Sequence, residues 1–361
     1  MTENEAVIVI NPGSTTTKFA LFNRSGSVYS DVIQHHQDVL DQYDLVTEQL
    51  YFRHEIIFPV IKRKIEELEL KIKGVVGRGG IVKPLEGGTY RVNEDFLEDV
   101  RSCRYGNHAS NLGTLLASRI ARELGVDQVF TVDPVTVDNM WDKARISGVP
   151  GIERVCRGHP LNVKRTAREV AKKQGIKYTK ARYVVAHLGG GFSITALKGG
   201  KIVDVNDGLL GMGPFSPNRA GALPLRGVIR LCYAKPENEV IRLFSNNSGL
   251  KGYLGEEDLR RVLDRVNQGE QQATHVYHAF VYQIAKEIGA CHIALRCRID
   301  GIIITGGIAH SDQFIRNLKS YIEPLATIFV MPGEFEMEAL AEGAWRVLDG
   351  REKAGIYKRE P

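Results

Sequence analysis

Apolar positions along the chain fall into short runs and helical stripes that alternate. Ala6-Val-Ile-Val-Ile10 is a β-branched run that ends at Asn11-Pro12-Gly13. Ser14-Thr-Thr-Thr-Lys18 follows, and a second apolar run continues to Phe22. This pattern predicts a buried strand, a polar turn and a returning strand. Val28 to Ile33 reads as a third strand. His54 to Ile72 carries Ile57, Ile61, Ile65 and Leu68 at helical spacing, and Gly74 to Gly80 reads as a strand entering a glycine turn. Asn107 to Leu124 is a helix with Leu112, Leu115, Leu116, Ile120 and Leu124 on one face and Gly125 as its cap. Val129 to Asp133 is a strand tipped by an acid and stopped by Pro134.

The second half repeats the theme. Leu161 to Gln174 reads as a helix, and Tyr183 to Leu197 as another strand, glycine turn and strand, followed by Lys201 to Val203. Asn11-Pro-Gly13 overlies His187-Leu-Gly189, and Ala20-Leu21 overlies Ala196-Leu197, without a gap. His275 to Leu295 is a strongly periodic helix. Asp300 to Ile308 is a buried strand with a third glycine turn, and Phe335 to Leu348 is a terminal helix opened by glutamates. The charged last dozen residues are expected to fray. Alternating strands and helices imply an α/β fold, and one strand–turn–strand unit per half implies duplication. The Gly, Pro and Arg content of residues 142–158 marks the crossing. The expected domains are 1–157, completed by the C-terminal segment 336–361, and 158–335.

Bulk properties narrow the function. A chain of 361 residues suits two domains. A formal charge of +5 with interspersed acids does not call for nucleic acid. No apolar run is long enough for a membrane helix. Five cysteines lack metal spacing and suit reduced thiols in a cytoplasm. The acidic, polar N-terminus does not read as a secretory leader.

The turn at Gly13 offers N–H groups, hydroxyls and Lys18, which suits an anion; the other reading is a solvated hairpin turn. None of the turns at Gly13, Gly189 and Gly306 is a Walker A loop or a dinucleotide fingerprint. Two of them open hairpins instead, as in the ATP sites of actin, sugar kinases and Hsp70. Asp133 reads as a helix cap or as a ligand to metal-bound water. Arg78 and Arg219 match carboxylate and phosphoryl oxygens bidentately; otherwise they are surface ion-pair residues. His187 either orients its glycine turn or is a core histidine.

Here a resemblance becomes specific. Asn11-Pro-Gly-Ser14-Thr-Thr16-Thr-Lys18, Val76-Gly-Arg78-Gly-Gly80, Phe130-Thr-Val-Asp133-Pro and Gly158-His159-Pro-Leu-Asn come in the order seen in the acetate and butyrate kinase family. His187-Leu-Gly189-Gly190-Gly191, Arg219-Ala-Gly, Thr305-Gly306-Gly307 and Pro332-Gly-Glu-Phe-Glu336 continue it. The chain most resembles the butyrate kinase branch. The resemblance implies a duplicated ribonuclease H-like, actin-like ATPase fold with a cleft between two domains. It also implies ATP- and Mg2+-dependent, reversible phosphorylation of butyrate or a similar short-chain fatty acid to the acyl phosphate, by direct in-line transfer, in a homo-oligomer.

By the same resemblance, Arg78, His159 and Arg219 are catalytic, with the two arginines also on the substrate. Ser14, Thr16, Lys18, His187, Gly189, Gly190, Gly191 and Ser193 take ATP phosphates, and Gly306 and Gly307 admit the adenosine. Asn11, Asp133 and Glu336 serve the metal, though Glu334, Glu336 and Glu338 leave the register open. Gly80 stands where acetate kinases carry a bulky apolar residue, which implies a roomier acyl pocket. The chemistry agrees. A carboxylate nucleophile is ionised at neutral pH, so the site needs cations more than a general base. The alternatives are an acetate, propionate or branched-chain acid kinase, an actin- or Hsp70-like ATP-driven conformational protein, and an inactive binding relative.

Overall fold

A computed structural model describes residues 4–360 of the chain. The first three residues, which carry part of the reading against a leader, and Pro361 lie outside the described residues. Among the described residues no helix is long and apolar enough to cross a membrane.

The strands are β1 (Glu5–Pro12), β2 (Thr16–Phe22), β3 (Ser27–Gln34), β4 (Lys71–Gly77), β5 (Thr89–Arg91), β6 (Val129–Val132), β7 (Arg182–Leu188), β8 (Phe192–Lys198), β9 (Lys201–Val205), β10 (Gly301–Gly306), β11 (Ile328–Pro332) and β12 (Gly355–Ile356). Residues 1–138 and 335–361 form one compact unit, and 139–334 a second.

In the first unit the sheet order is β12-β5-β6-β4-β1-β2-β3. β1, β2 and β3 form an antiparallel meander, while β4 and β6 continue parallel to β1. In the second unit the order is β11-β10-β7-β8-β9, with the same mixture of senses. Matching β1 to β7 and β4 to β10 makes the two five-stranded cores identical in topology. This is a duplicated ribonuclease H-like fold.

The register corrects one detail of the repeat. Asn11 pairs with Lys18 across the first hairpin, whereas His187 pairs with Ser193 across the second. The second turn is one residue shorter. Ala20 therefore corresponds to Thr195, and the gapless match of Ala20-Leu21 to Ala196-Leu197 is out of register by one.

Helix Asn111–Leu124 and helix Leu50–Glu67 cover one face of the first sheet, burying Ile57, Ile61, Leu112, Leu116 and Ile120 against Ile8, Ile10, Phe19 and Leu21. Helix Glu336–Leu348 packs on β1, β4 and β6, with Gly343 against Val132. In the second unit, helix Gln271–Ala294 packs on one face of the sheet, and helix Pro160–Lys173 on the other.

Three boundaries differ from the sequence reading. The helix expected to reach Ile72 ends at Glu67, because Glu69 turns left-handed and Lys71 onward pairs with β1. Residues 139–157 group with the second unit, where Trp141 N–H donates to Val203 O at 3.0 Å and Arg154 pairs with Asp204 at 2.9 Å. The tail does not fray: β12 pairs with β5, and the buried Tyr357 hydroxyl donates to Asp99 at 2.7 Å.

Candidate active site

In the first unit, the site grows from the ends of β1 and β4. Gly77 and Gly113 let strand and helix backbones touch; a Cβ on Gly77 would lie 2.2 Å from Gly113 O. That contact, with Arg78 N–H donating to Ile10 O at 2.9 Å, fixes the backbone of Arg78 beside the end of β1. Its guanidinium Nη1 reaches Glu336 Oε2 at 3.0 Å and donates to Asn11 Oδ1 at 3.3 Å. Asn11 Nδ2 donates to the same Glu336 oxygen at 2.9 Å. Asn11, Arg78 and Glu336 thus form one cluster, and of the three alternating glutamates Glu336 is the one that joins it. Lys18, as the direct partner of Asn11, stands on the same face of the sheet.

Asp133 enters through another network. It is buried and left-handed, and its carboxylate accepts from Gly88 N–H at 2.8 Å while its own N–H donates to Gly88 O. No helix starts behind it, so it is not a cap.

Gly80 is also placed differently from expectation. A Cβ there would lie 2.6 Å from Asn111 Oδ1 and 2.8 Å from both Asn111 Cα and Val100 Cγ1. The missing side chain faces helix packing rather than an open acyl pocket. Asn111 is itself fixed, accepting from Ile81 N–H and donating to Gly106 O, both at 2.8 Å.

In the second unit, the glycine turn 189–191 brings the other residues together. His159 occupies the N-cap position of helix Pro160–Lys173 and its carbonyl accepts from Val163 N–H at 3.0 Å, but its side chain makes no capping hydrogen bond. Its ring stacks on His187 at 4.1 Å between centroids, and its Nδ1 lies 2.8 Å from Ser193 Oγ. Ser193 is fully buried, and its hydroxyl meets the His159 ring. His187 is a buried core histidine that also orders the site: its Nδ1 lies 2.6 Å from Asn162 Nδ2, which in turn donates to Thr305 Oγ1 at 3.2 Å. Asn162 lies within a motif that the sequence marks only through His159, and nothing in the local pattern reveals its reach across the sheet.

Arg219 lies in the loop before helix Leu225–Ala234 and lies against Gly191, where a Cβ would sit 2.2 Å from its Nη1. It donates to Gly208 O. Burial holds its pKa below the usual arginine value, with Asp207 opposing the shift. Ser216 Oγ donates to Gly190 O at 2.7 Å, binding the same loop to the glycine turn. Gly306 is left-handed, and a Cβ there would meet Leu188 O at 2.3 Å. Internal packing therefore demands this glycine, whereas Gly307 faces open space.

Both arginines singled out from the sequence keep a buried Nε–H without a partner. Buried unpaired donors are rare and costly, so they point to a missing acceptor.

A family model described as the acetokinase family matches residues 158–330. The chain is 42% identical over 353 residues to a protein described as probable butyrate kinase from Clostridium botulinum strain Alaska E43 / Type E3, covering 97% of this chain and 99% of that one. The same figures hold for the protein of that description from strain Eklund 17B / Type B. Two solved structures share the fold: acetate kinase from Porphyromonas gingivalis, with a TM-score of 0.78, 19% identity and coverage of 95% and 100%, and a propionate kinase from Francisella tularensis subsp. tularensis SCHU S4, with 0.71, 22%, 94% and 98%. With 42% identity extending over nearly the full length of both chains, this chain belongs to the acetokinase family.

Proposed function

We propose that the chain phosphorylates butyrate or a similar short-chain fatty acid with ATP, reversibly, giving the acyl phosphate and ADP by direct in-line transfer. The observation that carries this reading is the pair of buried, partnerless guanidinium N–H groups on Arg78 and Arg219. A nucleotide-driven conformational protein needs phosphate contacts but no cationic seat for a second anion.

The nucleophile is a carboxylate that needs no deprotonation, so catalysis reduces to orientation and charge stabilisation. Arg78 holds the acyl carboxylate. Arg219 and His159 donate to the oxygens of the phosphoryl group, and Ser193 and His187 keep the His159 ring in place. The turn 189–191 offers backbone N–H groups to the nucleotide phosphates.

Glu336, which Asn11 touches, and Asp133 are the carboxylates that would hold magnesium, an ion that uses one or two carboxylates and otherwise keeps its water. When bound, it would supply positive charge against the phosphates.

Hydroxylamine trapping of acyl phosphate with Mg-ATP, across acids of two to six carbons, tests the reading. Hydroxamate should form, most strongly with four-carbon acids. A preference for acetate, propionate or a branched acid changes the substrate within the same reaction. No hydroxamate with any acid refutes the kinase reading.

A further inference from the structure

We propose that Arg53 is a positioning residue for phosphoryl transfer: it draws the carbonyls of the first turn inward and leaves the turn's N–H groups facing an anion. This rests on the kinase reading above. Arg53 is fully buried on helix Leu50–Glu67, directly beneath residues 13–17. Its Nε donates to Gln49 Oε1 at 3.0 Å. Nη2 donates to the same oxygen at 2.8 Å and to Ser14 O at 2.7 Å. Nη1 donates to Gly13 O and Thr16 O, both at 2.8 Å, and to Thr17 Oγ1 at 3.2 Å.

Every acceptor is neutral. Buried charges are ordinarily paired, yet no acid among the described residues opposes the effect of burial on this group. Burial pushes its pKa down only to about 10, so it remains a cation at neutral pH. Its field is felt nearby: the His35 ring, 2.8 Å from Thr17 Oγ1, has its pKa lowered to about 4, first by burial and then by Arg53.

The hydrogen bonds also orient peptide planes. No peptide is cis, so each N–H points opposite the preceding carbonyl. With Gly13 O and Ser14 O drawn to the guanidinium, the N–H groups of Ser14 and Thr15 face away from it. Neither has an acceptor among the described residues, whereas Gly13 N–H is spent on Thr16 O at 2.8 Å. Two successive outward N–H groups above an unbalanced cation make an anion nest. Lysine could not substitute, because only a guanidinium spreads five donors over this many acceptors.

The test uses Arg53→Lys and Arg53→Met, with kcat, KM for ATP and for the acid, ADP affinity and thermal unfolding measured for each. ADP lacks the phosphoryl group that is transferred, so its affinity is the control. Arg53→Met should keep ADP affinity and KM for the acid within about twofold while kcat falls about 100-fold, the scale of losing a preorganised oxyanion donor. Arg53→Lys should fall between it and wild type. By NMR, the His35 titration should move up in Arg53→Met and stay low in Arg53→Lys. Wild-type kcat in either folded variant overturns the proposal, as does a kcat loss matched by an equal loss of ADP affinity. If Arg53→Met fails to fold, Arg53→Lys decides on the same criteria. A wild-type protein inactive with every acid instead refutes the underlying kinase reading.

Discussion

Gly191→Ala puts the arrangement of Arg219 to a direct test. The added Cβ would lie 2.2 Å from Arg219 Nη1 and 2.8 Å from Cζ, with no backbone atom among its nearest contacts. Ordinary carbon–nitrogen contact needs about 3.5 Å, so the guanidinium must retreat by roughly 1.3 Å. The obstacle is the far end of a flexible side chain, so the fold yields easily and the unfolding midpoint should move little. Chemistry is less forgiving: about 1 Å of misplacement costs roughly 100-fold in rate. Gly191→Ala should therefore lose about 100-fold in kcat in the hydroxamate assay. A double-mutant cycle with Arg219→Ala isolates the cause. If the methyl acts by displacing Arg219, then adding it to Arg219→Ala costs nothing further. Additive losses would refute this account and assign the effect to the turn itself.

Three further outcomes are expected. Glu336→Gln keeps the shape of the Asn11–Arg78–Glu336 cluster but removes its carboxylate; kcat should fall at least about tenfold and the Mg2+ titration should shift to higher concentration, and an unchanged titration would remove Glu336 from the metal. Gly80→Ala forces a methyl onto the backbone of Asn111, so urea unfolding should show a loss of about 1–3 kcal/mol with acid preference unchanged; a stable variant with altered preference would restore the pocket reading. His35 has a folded pKa lowered to about 4 from 6.5, so the unfolded state binds its proton first and stability is lost as pH falls from 6.5 towards 4, by up to about 1.4 kcal/mol per unit. His35→Gln should flatten that slope in urea titrations at pH 4.5, 5.5 and 6.5, and an identical slope in both proteins would show that His35 does not titrate in this window.

Much of the molecule is legible in the sequence alone. Runs such as Ala6–Ile10 and Tyr183–Ala186 announce buried strands because period and β-branching are local properties, and the helix from Leu112 to Leu124 declares its buried face in the same way. Arg78, Arg219, His159 and Glu336 stand out as candidates because ordered motifs mark them. What the sequence could not determine is set by contacts between distant residues. The length of the second turn, one residue short of the first, appears only in the pairing of His187 with Ser193. The tail looks frayed by composition, yet Tyr357 is fixed by Asp99 some 258 positions away. Gly80 looks like spare room until Asn111 stands against it. Arg53 looks like an ordinary helix arginine; only the approach of the 13–17 turn to that helix removes it from water and gives it five neutral acceptors. Periodicity records which face of an element is buried. It does not record what that face meets, and burial, orphaned donors and unbalanced charge all arise from that meeting.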